Sequence, residues 1–287
     1  MPATLIASRA NPRVKQLRAA FAGHARLSGG LIAIEGERLL DEAMRSGMPF
    51  KTIFLSQTAA TPAWLPRSVE LIELTGEVFS SVVDTQHPQG IAALLVPPAW
   101  SIEDVLPAPA SRSRPALVLI AAGLQDPGNL GTLIRSAEAF GATAVLTTPG
   151  TVSEWNQKAL RASAGSVFRM PVVSITAADI ATLKSRSLHL FAAVAPDLDR
   201  REDPINPAPI SIADADFTQP CALLIGNEGA GLTLEWLQLA DSRVTIPTPG
   251  RVESLNAAIA GSLLLYEASR QRAANPSLAP RTFPPHP

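Results

Sequence analysis

Five polar side chains, Asn129, Arg135, Glu228, Ser254 and Asn256, stand just past the ends of apolar runs, where an open parallel sheet builds its sites. The first run, Ala116 to Ala122, ends in the turn-forming stretch Asp126-Pro127-Gly128-Asn129-Leu130-Gly131. Leu130, Leu133, Ile134, Ala137 and Phe140 then recur at helical spacing up to Gly141, a C-terminal stop. Arg135 interrupts that stripe one turn into the helix, and a cation there suits a phosphate. Taken alone, Arg135 fits a surface pair with Glu138 equally well. A second run, Cys221 to Gly226, leads straight into Asn227-Glu228-Gly229-Ala230-Gly231-Leu232. Glycines there let a ligand approach the main chain, although Gly226, Gly229 and Gly231 also suit a plain strand-to-helix turn. The third stretch runs from Val244 through Ile246-Pro247-Thr248-Pro249-Gly250 to Ser254-Leu255-Asn256, ahead of a helix from about Ala257 to Arg270. Ile246 reads as core, and Ser254 and Asn256 read as N-cap residues of that helix.

In this order and spacing the three stretches resemble the signature motifs of the SpoU/TrmH branch of the SPOUT methyltransferases. Those enzymes methylate ribose 2′-hydroxyls in RNA with S-adenosylmethionine. Lys158-Ala159-Leu160-Arg161-Ala162-Ser163-Ala164-Gly165 is similar to a family segment between the first two motifs. Ser8-Arg9-Ala10-Asn11-Pro12-Arg13-Val14-Lys15 and Ile34-Glu35-Gly36-Glu37-Arg38-Leu39 resemble the family's substrate-binding domain. The resemblance therefore covers about residues 5 to 270. Departures are small: Ser136 stands where many relatives have Thr, and Ala164 where Met is common.

The resemblance implies an α/β protein in which a C-terminal SPOUT parallel sheet with a deep trefoil knot follows an N-terminal L30e-like α/β domain. Sequence pattern would never suggest a knot; by the resemblance the loops 226–232 and 246–256 form its crossing. It implies S-adenosylmethionine contacts at Gly226, Asn227, Gly229, Ile246, Pro247, Leu255 and Asn256. Catalytic duties fall to Arg135, Asn129, Glu228, Ser254 and Asn256, with Glu228 ordering its loop or polarising Asn129 or Arg135. RNA contacts fall to Arg9, Arg13, Lys15, Arg38, Lys158 and Arg161. For Arg135 the family suggests proton abstraction from the 2′-hydroxyl. A charged guanidinium has a pKa above about 12 and no acceptor, which favours a phosphate clamp that also stabilises the developing alkoxide. Family members are homodimers, and the apolar helix Leu255–Tyr266 suits an isologous interface. A separate N-terminal module favours structured large-subunit ribosomal RNA over tRNA as the target.

Composition is that of an ordinary globular protein, and the net charge near −1 by itself argues against a nucleic-acid binder. At 287 residues, 46% apolar and 17% charged, the chain has room for two cores. No run of 18 or more apolar residues occurs, and the N-terminus has no apolar signal core, so the expectation is a cytoplasmic protein without membrane contact. The lone Cys221 lies in an apolar strand and points to a reducing compartment. One Cys and four scattered His give no metal-ligand spacing. Net charge is −1, yet residues 1–30 carry Arg9, Arg13, Lys15, Arg18 and Arg26 with no acidic residue, a field able to hold RNA phosphates. A solvated helix face accounts for the same charges.

The expected organisation is a domain over 1–96, a Pro-rich linker over 97–115, a catalytic domain over 116–270 and a disordered tail over 271–287. Strands are expected at 31–34, 52–55, 69–73 and 91–96, then at 116–122, 144–148, 188–194, 221–226 and 243–246, alternating with helices. Other enzyme classes lack their marks. Gly123, Gly128 and Gly131 do not make a dinucleotide fingerprint, and no phosphate-loop, G-x-S-x-G or H-E-x-x-H pattern exists. A non-catalytic RNA-binding or ribosome-assembly protein on the same fold, or a tRNA methyltransferase, stays open.

Overall fold

The computed structural model describes residues 4–66, 68–83, 85, 88–106, 115–196 and 208–275. Its first elements are β1 (Thr4–Ile6), α1 (Pro12–Phe21), α2 (Ala25–Ser28), β2 (Ile32–Glu35), α3 (Glu37–Arg45), β3 (Phe50–Ser56), β4 (Glu70–Leu74), α4 (Gly76–Ser80) and β5 (Ile91–Leu95). Next come α5 (Ile102–Val105), β6 (Leu117–Ala121), α6 (Pro127–Ala139), β7 (Ala144–Thr147), α7 (Gln157–Ser163), β8 (Val172–Ser174), α8 (Ile180–Ser185) and β9 (His189–Val194). The last described elements are β10 (Ile210–Ser211), β11 (Cys221–Ile225), α9 (Leu234–Leu239), β12 (Ser242–Thr245) and α10 (Ala257–Ala274). Two units result, one of residues 1–99 with 155–169, the other of residues 100–154 with 170–287.

The first unit has a five-stranded mixed sheet ordered β1-β4-β3-β5-β2. Asn11 caps α1 through its side chain with Pro12 in the first turn, and Val14, Leu17 and Ala20 turn one face into the core. Residues 155–169, expected in the catalytic domain from their place in the sequence, cluster with this unit. Gln157 Nε2 donates to the Ala33 carbonyl at 2.8 Å, and Arg169 pairs with Glu42 at 2.8 Å.

In the second unit seven strands, all parallel, run β10-β12-β9-β11-β6-β7-β8. β6 and β11 are central and buried on both faces, which is why Leu117–Ala121 and Cys221–Ile225 are continuous apolar runs rather than alternating ones. α6 and α10 cover that centre; at Gly261 a β-carbon would overlap Leu133 and crowd Ile225, so glycine sets how closely α10 can seat.

Three edge strands, β1, β8 and β10, were absent from the sequence expectation, and at two or three residues they are too short to show a period. Inside the expected linker, residues 102–105 form α5, and Ile102, Val105 and Leu106 enter the core of the second unit. Residues 107–114 lie outside the described residues. The expected tail is also shorter at its start, because α10 continues through Ala274. There Gln271 bonds the Phe217 amide and the Ala215 carbonyl, while Arg272 donates to the carbonyls of Pro115, Ala116, Phe217 and Gln219. Residues 276–287 lie outside the described residues.

Candidate active site

Hydrogen bonds join the three polar stretches at the carboxyl end of the parallel sheet. Asp126 caps α6 by accepting from the Asn129 amide at 3.0 Å, so Asn129 stands in the first turn with its side chain free to bridge. Its Nδ2 donates to Glu228 Oε1 at 2.9 Å, and its Oδ1 accepts from Asn256 Nδ2 at 3.1 Å. Asn256 in turn caps α10, its Oδ1 accepting from the amides of Ala258 at 2.9 Å and Ile259 at 3.2 Å. Asn256 is therefore both a cap and a link to the other two stretches.

Glu228 is the hub. Besides Asn129 it accepts from the amides of Asp126 at 3.0 Å and Gln125 at 3.2 Å. Burial, the largest single influence on its carboxyl, raises the pKa. The hydrogen bonds from Asn129 and from the backbone of Glu228, Gln125 and Asp126 together outweigh it and hold the pKa below the ordinary value. The carboxylate is thus ionised at neutral pH.

The loop carrying Glu228 is shaped by its neighbour. Asn227 exchanges backbone bonds with Gly231, at 3.0 and 2.9 Å, and its Oδ1 accepts from the amides of Gly229 and Ala230. Its Nδ2 donates to the Gly123 carbonyl at 2.9 Å, tying the loop to the end of the neighbouring strand. This folded-back loop passes directly over Gly226, where any β-carbon would overlap the backbone of Gly231 and Leu232. Glycine is obligatory there for close approach.

Beside this loop lies a cavity of about 290 Å³ at the carboxyl ends of β9, β11 and β12. Gly226, Asn227, Glu228, Gly229, Ile246, Ser254 and Leu255 line it, together with Ala193–Pro196, Thr248, Ala257 and Ala260. Pro247 and Asn256, expected at the cofactor too, are not among its lining residues. The sequence reading missed Ala193–Pro196, because only the pairing of β9 with β11 and β12 brings that strand end to the site. The walls combine backbone edges, aliphatic side chains, two hydroxyls and the Glu228 carboxylate. That set fits a heterocycle, a ribose and a cationic centre, the parts of S-adenosylmethionine.

Arg135 does not join the network. It is exposed on α6, about 9 Å along the helix axis from Asn129 at 1.5 Å per residue. The cations expected at RNA belong to the first unit. Arg9 pairs with Glu77 at 2.7 Å and Arg13 with Glu70 at 2.9 Å, while Lys15, Arg38, Lys158 and Arg161 are exposed. Among the described residues no three His, Cys, Asp or Glu side chains are grouped to hold a metal ion, and no helix is long and apolar enough to cross a membrane.

The profile of the SpoU rRNA methylase family matches residues 116–266, more than half of the chain and the whole of the site just described. The chain belongs to the SpoU family. That of the MRM3-like substrate binding domain matches residues 11–93. The chain is 33% identical over 262 residues to the 23S rRNA (guanosine(2553)-2′-O)-methyltransferase RlmP of Bacillus subtilis, covering 91% of this chain and 97% of that one. It is 31% identical over 271 residues to the 23S rRNA (uridine(2479)-2′-O)-methyltransferase of Streptomyces viridochromogenes, covering 91% of each. Among solved structures, the SpoU methyltransferase AviRb from Streptomyces viridochromogenes in complex with AdoMet superimposes with a TM-score of 0.77 at 29% identity, over 92% of this chain and 99% of that one. An AdoMet-bound rRNA methyltransferase from Sinorhizobium meliloti gives 0.76 at 26%, over 93% and 98%. The second unit is accordingly a SPOUT-type α/β methyltransferase fold, and the chain is a SpoU-family enzyme that uses S-adenosylmethionine.

Proposed function

We propose that this protein methylates a ribose 2′-hydroxyl of large-subunit (23S) ribosomal RNA. The observation that carries the reading is the Glu228–Asn129–Asn256 network, whose Glu228 lines the cavity and which unites all three SpoU motifs in one hydrogen-bonded site. Bound S-adenosylmethionine supplies an electrophilic methyl group. The chain's own residues do the rest. Gly226, Ile246 and Leu255 would hold the cofactor with backbone groups and aliphatic walls, beside the Gly229 turn that Asn227 fixes. Ionised Glu228 fixes the orientation of the Asn129 amide, and Asn129 and Asn256 keep the first turns of α6 and α10 in register. Arg135, exposed on α6, clamps the phosphate of the target nucleotide and stabilises the negative charge developing on the 2′-oxygen as the hydroxyl's proton passes to water. Ser254 and Thr248 offer the two hydroxyls of the cavity wall.

The other parts of the reading follow from the same features. The loops 226–232 and 246–256 form the crossing of a trefoil knot, consistent with α10 returning from β12 to cover β6, β11 and α6. The protein acts as a homodimer through the exposed Ile259, Leu263 and Tyr266 of α10. RNA recognition belongs to residues 1–96 and to Lys158 and Arg161, and the reaction takes place in the cytoplasm with the ribosome. Two relatives of similar identity are named for a guanosine and for a uridine, so the family accommodates different target bases.

Transfer of labelled methyl from S-adenosylmethionine to total RNA from a strain lacking the protein tests this, with Arg135→Ala in parallel. Label in large rRNA, alkali-resistant at a single dinucleotide and absent with the variant, is the expected result. Label in tRNA would move the target to tRNA. No label and no cofactor binding would leave a non-catalytic RNA-binding protein.

A further inference from the structure

The basic N-terminal segment divides into engaged and available cations. Arg9 and Arg13 each hold a carboxylate, Glu77 and Glu70. Lys15 and Arg18 make no ion pair among the described residues. They lie one helical turn apart on α1, in the wall of a groove of about 800 Å³ between α1 and α2. Ala19, Ala22 and Pro12 form its apolar side, and His24 and Leu27 its far rim. The groove is preformed: Gln16 Nε2 donates to the Ser28 carbonyl at 3.0 Å, and the His24 amide to the Ala19 carbonyl at 2.8 Å, which sets α2 against α1. Among the described residues no carboxylate lines it. Leu27 is 71% exposed at its edge, the most exposed large apolar side chain among the described residues.

We propose that this groove binds an unstacked nucleotide of single-stranded RNA, with a backbone phosphate on Lys15 and Arg18 and the base or ribose against Leu27, Ala19 and Ala22. The proposal rests on the RNA-methylation reading and adds to it a recognition subsite in the first unit. Cations alone would suit any phosphate. Cations beside an exposed leucine and an alanine wall suit a nucleotide whose ring is free to leave its stack, because an A-form duplex hides its base faces and presents phosphates, 2′-hydroxyls and base edges instead. Arg18 can also lay its guanidinium plane on such a base.

The test uses the full chain and fluorescence anisotropy of a labelled oligouridylate, with an unlabelled RNA duplex and polyglutamate as competitors. Lys15→Gln combined with Arg18→Gln should weaken binding roughly tenfold and flatten the salt dependence of log K by about 0.7, the value for one phosphate contact on a single strand. Leu27→Ala should weaken it about threefold with the salt dependence unchanged, as lost apolar area does. Arg9→Gln, removing a cation already paired, should do less than either. With rRNA as substrate, the groove variants should raise KM and leave kcat and cofactor affinity as in wild type. Wild-type binding retained by both groove variants would overturn the proposal, as would displacement by duplex or polyglutamate as effective as by oligouridylate. A wild-type protein that neither binds nor methylates any RNA would remove the underlying reading as well, which separates the two failures.

Discussion

Glu228 ties the second motif to the first, since one carboxylate collects three donors from residues 125–129. Replacement by Gln keeps the shape but turns an N–H2 toward one of those donors, so Glu228→Gln should cost about 1 kcal/mol of stability at pH 7. The sign of the pH dependence follows from the direction of the shift. The folded carboxyl titrates below its unfolded value of about 4.3, so its stabilisation is complete above that pH and disappears as pH falls through the lower folded value. Urea midpoints of wild type and variant should therefore converge on acidification; a gap that stays constant would show that the charge is irrelevant. Arg135 gives a second prediction at this scale. A clamp needs the planar fork, and Lys keeps only a point charge, so Arg135→Lys should lower kcat on the order of 10²-fold with an unaltered pH profile. A retained rate with a displaced profile would make Arg135 the base.

At the scale of elements, the strand-to-loop transition at Gly226 is the stiffest demand the site makes. A β-carbon there would meet the backbone of Gly231 and Leu232, and backbone cannot swing aside as a side chain does. Gly226→Ala should force the 227–231 turn open, costing about 1–3 kcal/mol and weakening S-adenosylmethionine binding at least tenfold by calorimetry. Unchanged affinity would mean that the turn does not shape the cavity. The long buried strands and amphipathic helices were legible because β6, β11 and α6 carry continuous runs or clear periods. α5 was legible too, and overlooked: Ser101-Ile102-Glu103-Asp104 is a capping box, with both of its reciprocal bonds formed, inside a stretch that its prolines mark as linker. The edge strands β1, β8 and β10 were not legible, since a strand of two or three residues is defined by its partner. The same holds for Ala193–Pro196 in the cavity wall and for residues 155–169, whose anchors Ala33 and Glu42 are more than a hundred residues away in sequence. The polar residues of the three motifs were singled out by resemblance; their hydrogen bonding to one another needed the fold, because no local pattern says that Asn129, Glu228 and Asn256 meet.

For the molecule as a whole, the outer face of α10 is the surface on which the proposed homodimer is tested. Ala258, Gly261, Leu264, Leu265 and Ala268 bury one side of this helix, while Ile259, Leu263 and Tyr266 expose 54%, 39% and 52% of their surface at spacings of four and three residues. That spacing puts the three on one stripe, and Phe140 extends it by packing edge-on against Tyr266 at 5.7 Å. An apolar stripe on an 18-residue helix has little reason to stay in water, and a two-fold axis across it would let each copy cover the other's with the same residues. The same helix begins at Asn256, so a partner packed on it would also steady the cap that holds the active-site network. Leu263→Glu places two carboxylates against each other near such an axis. It should turn a dimer into a monomer in sedimentation velocity, with the circular dichroism unchanged because Leu263 is outside the core. Methyl transfer should fall with dimer content, and recover at high protein concentration if the variant still associates weakly. A wild-type protein that sediments as a monomer while transferring methyl at full rate would overturn the assembly and leave the network around Glu228 self-sufficient.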